Sequence, residues 1–321
     1  MSTWTRVLPA VALAFAAPPG PLAAQSSPPP AVVRQSLDDA WWTGPLLANS
    51  AATLPQGHFL AEPYLYVVVA AHSNTVGSRS YLLYGLADRL SVGMIPYLAY
   101  NAVNQGPGSS GMGFGDQTLL AQYRLTQFHG GPLPTISVTV QETIPTGRYD
   151  QLGERPGDGL GSGAFATTLG AYSQTYFWLP NGRILRMRLD LTGTFSGTAD
   201  VNGVSVYGTN AGFTGHAEPG NSFVVDSSLE YSLTRRWVLA LDLFYEQSAA
   251  TTVTGHEVGE PGSIPRSVHL TSPEASALGF APAMEFSWKP NLGVIVGARV
   301  IPTGHNTVAT ITPAVAINYV H

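Results

Sequence analysis

Polar and apolar residues alternate with a period of two through most of the chain after His58. The clearest segment is residues 186–195, where Arg186, Arg188 and Asp190 alternate with Met187, Leu189 and Leu191. Residues 116–125, 135–141 and 226–233 repeat the pattern. Successive side chains of a β-strand point to opposite faces, so the alternation predicts strands with one polar and one apolar face.

Twelve such segments follow one another and are separated by turn residues. We place them near residues 58–71, 77–86, 90–102, 113–127, 133–146, 162–178, 183–197, 221–233, 236–248, 275–288, 292–302 and 307–320. Short connections at 87–89, 127–132, 179–182, 234–235 and 289–291 alternate with a second set that includes long ones, at 103–112, 147–161, 198–220 and 249–274. Alternating strands with short turns on one rim and long loops on the other are the signature of a transmembrane β-barrel. An even strand count places both termini on one side, which we predict to be the periplasm.

A soluble β-sandwich would also alternate, but it packs its two inner faces into a dry core. The polar face here carries Arg186, Arg188, Asp190, Asp226, Glu230 and Asp242. Unpaired charges cannot fill such a core, whereas they can line a wet lumen. The expected fold is therefore an all-β, transmembrane, antiparallel up-and-down β-barrel of about 12 strands.

Aromatic residues on the apolar face have the spacing of two membrane interfaces. Three pairs lie eight residues apart: Phe223 and Tyr231, Trp237 and Tyr245, Phe280 and Trp288. Eight residues span roughly 26 Å along a strand. With the tilt of a barrel strand, that length approaches the height of the apolar band between two aromatic girdles.

Composition agrees with this fold and narrows the class of protein. Charged residues make up 11% of the 321 residues, against about 25% in soluble domains. After the first thirty residues the chain has no apolar run long enough for a transmembrane helix. A net charge of −5 offers no basic patch for nucleic acid, and the absence of cysteine means folding without disulfides.

The first 57 residues precede the strand pattern and divide into two parts. Residues 1–24 are predicted to be a signal peptide, with Arg6 before an apolar stretch at 7–17 and a cleavage site near Ala24. Residues 25–57 are predicted to be a periplasmic or plug-like segment, and 58–321 the outer-membrane barrel. The part around Trp41 and Trp42 is not periodic. A short helix that lies in the periplasm or enters the barrel, and a mobile tether, both remain open.

Residue types that could support catalysis or metal binding occur in unsuitable arrangements. His72, Ser73 and Asn74 have the residue types of an outer-membrane phospholipase, but neighbouring strand residues point to opposite faces. Asp226 and Glu230 share a face, with arginines available for ion pairing. His256 and Glu257 do not extend to a zinc motif. We predict no enzyme activity and no catalytic, cofactor-binding or metal-binding residue.

The polar face supplies a set of candidate lumen-lining residues with both charges and many tyrosines. They are Glu62, Tyr64, Tyr66, Arg79, Tyr81, Tyr97, Asp116, Arg124, Tyr172, Arg186, Arg188, Asp190, Asp226, Glu230, Asp242, Phe244, Glu246, Glu285 and Arg299. Mixed charge can set the selectivity of a pore, and it can also form ion pairs that fill the interior. The aromatic members would suit apolar or aromatic cargo.

Three stretches carry a resemblance to a known family. They are residues 53–64, which include Leu54-Pro55-Gln56-Gly57 and Glu62-Pro63-Tyr64; residues 113–125, which begin Gly-Phe-Gly-Asp; and residues 141–149, Gln-Glu-Thr-Ile-Pro-Thr-Gly-Arg-Tyr. The chain resembles the outer-membrane transporter-like family associated with the meta-pathway of phenol degradation. The resemblance implies a barrel that aids the passage of small, often aromatic, compounds.

The expected partners follow from this fold: the outer-membrane lipid bilayer, the barrel-assembly machinery and a small-molecule cargo. Barrel proteins often end in an aromatic residue that the assembly machinery reads, whereas this chain ends in His321. The leading functional hypothesis is a channel or uptake facilitator for small molecules, hydrophobic or aromatic ones included. The alternative is a non-conducting structural or adhesive barrel whose long loops bind a partner. The oligomeric state is left open.

Overall fold

The computed structural model of the protein describes residues 32–104, 106–259 and 264–321. The predicted signal peptide, residues 1–24, lies outside the described residues. The described chain contains 18 strands and two short 3-10 turns, at Leu37–Asp39 and Pro156–Asp158. None of its helical segments is long and apolar enough to cross a membrane.

Most of the strands form one closed antiparallel barrel. Its strands are β1 (Phe59–Ala70), β2 (Ser73–Ala87), β3 (Leu90–Ile95), β4 (Tyr97–Val103), β5 (Gly113–Phe114), β6 (Gln117–Thr126), β7 (Thr135–Ile144), β8 (Ala166–Trp178), β9 (Ile184–Ser196), β12 (Ser222–Ser232), β13 (Trp237–Ser248), β16 (Ala275–Lys289), β17 (Leu292–His305) and β18 (Thr310–Val320). Strand β1 pairs with both β2 and β18, which closes the sheet. The 14 strands make 12 wall-crossing spans, because β3 with β4 and β5 with β6 each form one span. The predicted 12-stranded barrel is confirmed.

Two spans predicted as continuous strands are interrupted in the structure. The span predicted at 90–102 breaks at Pro96, which has no N–H to donate to its neighbour. Strand β2 still bridges the break, since Leu82 pairs with Met94 and Arg79 pairs with Tyr97. The span predicted at 113–127 breaks at Gly115 and Asp116, where the chain leaves the ladder.

The two ends of the barrel differ in their connections. The terminal rim holds Phe59 and Val320 and has the short connections 88–89, 127–134, 179–183, 233–236 and 290–291. The opposite end, the loop rim, has the connections 71–72, 104–112, 145–165, 197–221, 249–274 and 306–309. Two of these, 71–72 and 306–309, are short, and three of the others are long, so the predicted asymmetry holds with two short exceptions.

The two longest connections at the loop rim are more ordered than the loops predicted there. They contain β10 (Ala199–Asn202), β11 (Phe213–Glu218), β14 (Thr251–Glu257) and β15 (Arg266–Ser272), which form a four-stranded antiparallel sheet in that order. One face buries a small core of Val201, Phe213, Ala217 and Val253. This loop sheet is held together by its own hydrophobic core and its own ladder.

The barrel wall has an apolar outer face and a polar inner face. Every span exposes large apolar side chains outward, one example from each being Leu65, Leu82, Met94, Leu119, Val138, Leu169, Leu191, Leu229, Leu241, Phe280, Val296 and Ile317. Alternate residues such as Arg186, Glu230 and Asp242 are buried inside. The paired aromatics lie on the outer face as predicted, with Phe223, Tyr245 and Phe280 toward the loop rim and Tyr231, Trp237 and Trp288 toward the terminal rim. Such a surface is matched to a lipid layer.

Candidate functional site

Residues 33–57, here called the N-terminal segment, run along the inner side of the barrel wall. At the terminal rim the Gln35 N–H donates to the carbonyl of Gly182 at 2.9 Å, and the Trp41 N–H donates to that of Arg235 at 2.9 Å. Further along, the Leu54 N–H donates to the Ser91 hydroxyl at 2.8 Å. The segment is therefore fixed at both ends to wall residues that are far apart in sequence.

Three inward carboxylates bind the middle of the N-terminal segment through its backbone. Glu285 Oε2 accepts hydrogen bonds from the Thr43 N–H at 2.7 Å and the Gly44 N–H at 3.0 Å. Asp242 accepts from the N–H groups of Leu46 at 3.1 Å and Ala48 at 3.2 Å. Asp190 Oδ2 accepts from the backbone and side-chain amides of Asn49, at 2.6 and 3.1 Å. We call Asp190, Asp242 and Glu285 the acidic ladder.

The acidic ladder supplies hydrogen-bond acceptors that the segment does not supply for its own buried N–H groups. Residues 40–54 form no helix or strand, so their buried N–H groups lack the partners that regular structure would supply. An unpaired buried N–H is costly, while a hydrogen bond to a charged acceptor contributes about 1.5–3 kcal/mol. Asp226 lies beside Asp190 in the sheet register, yet it forms no hydrogen bond to the described part of the segment.

A second cluster joins two arginines of β9 to one carboxylate of β12. Arg186 donates through two nitrogens to Glu230, one of them Nε at 2.6 Å. Arg188 Nε lies 3.3 Å from Glu230 Oε2, and its Nη1 donates to the Ala48 carbonyl at 2.8 Å. Trp42 covers the Arg186 guanidinium at 4.4 Å. The ion pairing predicted for this face is present at Glu230, with the N-terminal segment sealing it from water.

Two cavities of the lumen border the N-terminal segment and have four lining residues in common. The cavity toward the loop rim, the upper cavity, has a volume of about 400 Å³ and is lined by Leu46, Leu47, Tyr64, Tyr66, Val68, Arg79, Tyr81, Arg299, Thr312 and Ala314. The second cavity, about 260 Å³, follows the segment from Trp42 to Leu54 and reaches Val320 at the terminal rim. Leu46, Leu47, Tyr64 and Tyr81 border both cavities.

Neighbouring wall residues fix the positions of Tyr66 and Arg299, two side chains that line the upper cavity. Tyr66 faces Gly77 across the β1–β2 ladder, and a Cβ at Gly77 would lie 2.7 Å from the Tyr66 ring. A glycine is therefore required for the ring to lie flat against the wall. Arg299 pairs with Glu246 at 2.5 Å and lies 4.5 Å from the centre of the Phe244 ring.

The structure places most predicted lumen residues on the inner side of the wall, in three groups. Asp190, Asp242 and Glu285 contact the N-terminal segment, and Arg186, Arg188 and Glu230 form the ion cluster. The residues of the upper cavity and its surroundings are Tyr64, Tyr66, Arg79, Tyr81, Tyr97, Phe244, Glu246 and Arg299. Glu62 accepts from Asn318 at 3.0 Å, and the Tyr172 hydroxyl accepts from Gln141 at 3.3 Å.

Two further predicted lumen residues lie closer to the rims of the barrel. Asp116 sits in the break between β5 and β6, where it accepts from the Gly147 N–H at 2.9 Å and the Ser162 N–H at 2.7 Å, fastening the loop 145–165. Arg124 lies near the terminal rim on the inward-facing positions of β6, opposite buried Ser137 of β7, and its backbone N–H donates to the Arg89 carbonyl. Leu46, Leu47 and Gln122 also line the cavities and were missed. The period-two pattern could identify Gln122, whereas no pattern marks the two leucines.

At the loop rim, Asp158 ties two connections together. It accepts from the Ser110 N–H at 2.6 Å and from the Ser110 hydroxyl at 3.0 Å. These bonds, with Arg148 at 3.7 Å, hold the pKa of Asp158 below its usual range. Across the residues that the structure describes, no group of three or more His, Asp or Glu side chains is arranged to hold a metal ion.

Comparisons with known proteins identify a matching family and solved structures of similar fold. A family model described as "Putative MetA-pathway of phenol degradation" matches residues 44–309. The chain is similar in fold to an outer membrane channel from Pseudomonas putida F1, with a TM-score of 0.61, 16% sequence identity, and coverage of 86% of this chain and 100% of the channel. A likeness to the NanC porin is weaker, with a TM-score of 0.45, 7% identity, and coverage of 81% and 98%. No curated protein sequence matches the chain.

Proposed function

Because the chain belongs to the family described as the putative MetA-pathway of phenol degradation, whose model matches residues 44–309, we propose that it is an outer membrane channel for small hydrophobic or aromatic molecules. The structure similar in fold is described as an outer membrane channel. The proposal assigns the chain passage of solute and no catalysis.

The observation that carries this proposal is the pair of neighbouring lumen cavities beside the N-terminal segment. Their lining residues are distributed along the lumen, from Arg299 and Thr312 on the loop-rim side to Val320 at the terminal rim. Their shared border is aromatic and aliphatic: Tyr64 and Tyr81 on the wall, Leu46 and Leu47 on the segment. A small, flat, apolar molecule fits such a border better than a hydrated ion or a sugar does, because it loses little hydration there.

The proposed orientation has the terminal rim in the periplasm and the loop rim outside the cell. Short periplasmic turns and longer external loops are the usual arrangement in such barrels. Residues 1–24 would then be a signal peptide removed on export, and residues 25–57 a periplasmic and plug-like part. The N-terminal segment acts as a plug that narrows the lumen rather than filling it.

The proposal is tested with purified protein in planar bilayers and in liposomes. We expect single-channel conductance steps, and liposomes containing the protein should swell faster in phenol or benzyl alcohol than empty liposomes do. Protein that migrates as a heat-modifiable barrel but gives no steps and no faster swelling would contradict the channel.

A second candidate function is adhesion through the loop sheet, as in a non-conducting barrel that binds a partner. The observation that favours it is the order of β10, β11, β14 and β15, which have a common core rather than the form of open loops. Replacing residues 258–265, between β14 and β15, by a short Gly-Ser turn should then abolish attachment of protein-bearing cells to a host surface. Conductance would be unchanged. Attachment equal to that of the unaltered protein would exclude this role for that connection.

A further inference from the structure

One positive charge in the upper cavity has no acidic partner. Arg79 projects inward from β2 and is exposed to the lumen. Among the described residues, no carboxylate forms an ion pair with it. The other arginine of the cavity, Arg299, is neutralised by Glu246 at 2.5 Å. The cavity lining itself contains both guanidinium groups and no carboxylate.

The acidic side chain nearest along β1 is already engaged. Glu62 lies two residues before Tyr64 and accepts a hydrogen bond from Asn318 at 3.0 Å, on the side of the second cavity. The acidic ladder is similarly occupied by N–H groups of the N-terminal segment. The charge of Arg79 is therefore directed into the open space of the upper cavity.

Tyrosines surround Arg79 in the sheet. Tyr64 is its direct partner on β1 and Tyr97 its direct partner on β4, where the guanidinium lies 5.7 Å from the ring centre. Tyr81 follows two residues later on the same face, and its ring lies 6.1 Å from that of Tyr64 in an edge-to-face arrangement. Tyr66 lies one step further along β1. Aromatic surfaces thus flank a single exposed guanidinium.

We propose that the upper cavity is a binding site for a monocyclic aromatic anion, with Arg79 as the group that binds its charge. This inference rests on the proposed channel function and specifies its cargo. A guanidinium presents a planar fork of N–H donors that matches a carboxylate in two parallel hydrogen bonds, and it can also bind a phenolate oxygen. Tyr64, Tyr66 and Tyr81 contact the ring of the ligand in offset or edge-on geometry. The volume of about 400 Å³ lies in the range of small-ligand sites.

Both parts of the ligand are needed for binding in this geometry. A neutral aromatic alcohol would fill the aromatic part but leave Arg79 without its partner. An aliphatic carboxylate such as acetate would bind Arg79 but forfeit the ring contacts. Benzoate and 4-nitrophenolate supply both features, with the charge on a carboxylate in one and on a phenolate oxygen in the other.

The test is an equilibrium titration of the full-length protein, refolded in detergent, followed by tyrosine and tryptophan fluorescence or by calorimetry. The probes are benzoate, 4-nitrophenolate above its pKa, benzyl alcohol and acetate. The variants are Arg79→Gln, Arg79→Lys and the control Arg89→Gln, which removes the same charge from the exposed turn after β2. Heat-modifiable migration on gels establishes that each variant has folded.

We expect at least one of the two aromatic anions to bind more tightly than benzyl alcohol and acetate. Arg79→Gln should weaken that binding about tenfold or more, the value of one charge-assisted hydrogen-bond pair. Arg79→Lys should give an intermediate loss, and Arg89→Gln should match the unaltered protein. Equal binding of benzoate, 4-nitrophenolate and benzyl alcohol, or an unaffected Arg79→Gln variant, would overturn the site.

Failure of this inference is distinguishable from failure of the channel. If liposomes swell with benzyl alcohol while the titrations show no preference for the anions, the channel function is supported and the anion site is contradicted. If the anions bind through Arg79 but no solute passes in liposomes or bilayers, the anion site is supported and the channel function is contradicted.

Discussion

Arg186, Arg188 and Glu230 show how single residues inside this barrel are coupled to one another. Glu230 is fully buried, accepts two hydrogen bonds from Arg186 and forms an ion pair with Arg188, so it is the common partner of two buried positive charges. The free-energy cost of removing these charges from water is offset by their mutual attraction only while every member of the cluster remains paired. The period-two pattern predicted that these charges share a face, because strand geometry alone determines it.

Glu230→Ala is expected to be the most destabilising substitution in the wall. It leaves two buried guanidinium groups without their carboxylate, and the breaking of a buried pair costs about 3–5 kcal/mol. The free energy of unfolding is measured by denaturant titration of the refolded protein, with heat-modifiable migration as the signal.

Glu246→Ala is the matched control for that measurement. Its ion pair with Arg299 is about a third exposed, so its loss should cost less than about 1 kcal/mol. Equal losses of stability in the two variants would show that burial does not determine how much these ion pairs contribute to the free energy of unfolding.

At the scale of elements, the strands and the N-terminal segment differ in how far sequence predicts them. The strands follow from local alternation, and the two departures follow from local features, Pro96 and the Gly115-Asp116 step. The strands of the loop sheet also alternate, as in residues 251–257 and 266–272, but their short length concealed them among loops. The position of the N-terminal segment follows from no local pattern. Its partners lie far along the chain, as Leu46 does from Asp242, and backbone N–H groups carry no sequence signal.

Asp242→Asn should loosen the N-terminal segment without unfolding the wall. The carboxylate is replaced by a neutral, weaker acceptor for the N–H groups of Leu46 and Ala48. The loss of charge assistance, about 1.5 kcal/mol, corresponds to about a tenfold faster amide exchange at those two positions. Hydrogen exchange followed by mass spectrometry measures it.

Asp226→Asn supplies the control for the acidic ladder. It removes a carboxylate that lies beside Asp190 and has no hydrogen bond to the described segment. Exchange in the segment should stay at its original rate. If both variants accelerate exchange alike, the general charge of the lumen holds the segment and the specific hydrogen bonds do not.

Asp158 makes the order of the loop rim depend on pH. Its pKa is lowered by the bonds from Ser110, so its contribution to order is complete above the ordinary aspartate value of about 3.9 and is lost as pH falls through the lowered pKa. Protection of residues 106–112 from exchange, corrected for the intrinsic rate, should fall several-fold at such acidic pH.

Asp158→Asn should show the same reduced protection already at neutral pH. Asp150→Asn is the control, because Asp150 accepts from the Asn202 N–H and does not contact residues 106–112. Unchanged protection in Asp158→Asn at neutral pH would mean that Gly157, which accepts from the Asn101 side chain and the Ser109 hydroxyl, holds this loop by itself.

At the scale of the whole molecule, the closed wall and the N-terminal segment have separate sources of stability. The wall closes through its own ladder, from β1 to β18, and needs no contact with the segment to complete its hydrogen bonds. The segment depends on the wall for nearly every backbone partner in its middle part. A barrel without the segment should therefore fold, with a wider lumen.

Deletion of residues 40–53 is expected to leave a heat-modifiable barrel and to raise single-channel conductance roughly twofold or more, because the segment occupies the cross-section between β13, β16 and the wall opposite. Deletion of residues 33–39 is the control, since these residues bind only near the terminal rim, for example Gln35 to Gly182. Its conductance should remain close to that of the full chain. Unchanged conductance after the longer deletion would mean that the segment already leaves the lumen whenever the channel conducts. The acidic ladder would then be the contact that breaks on opening, and Asp242→Asn should instead raise the fraction of time spent open.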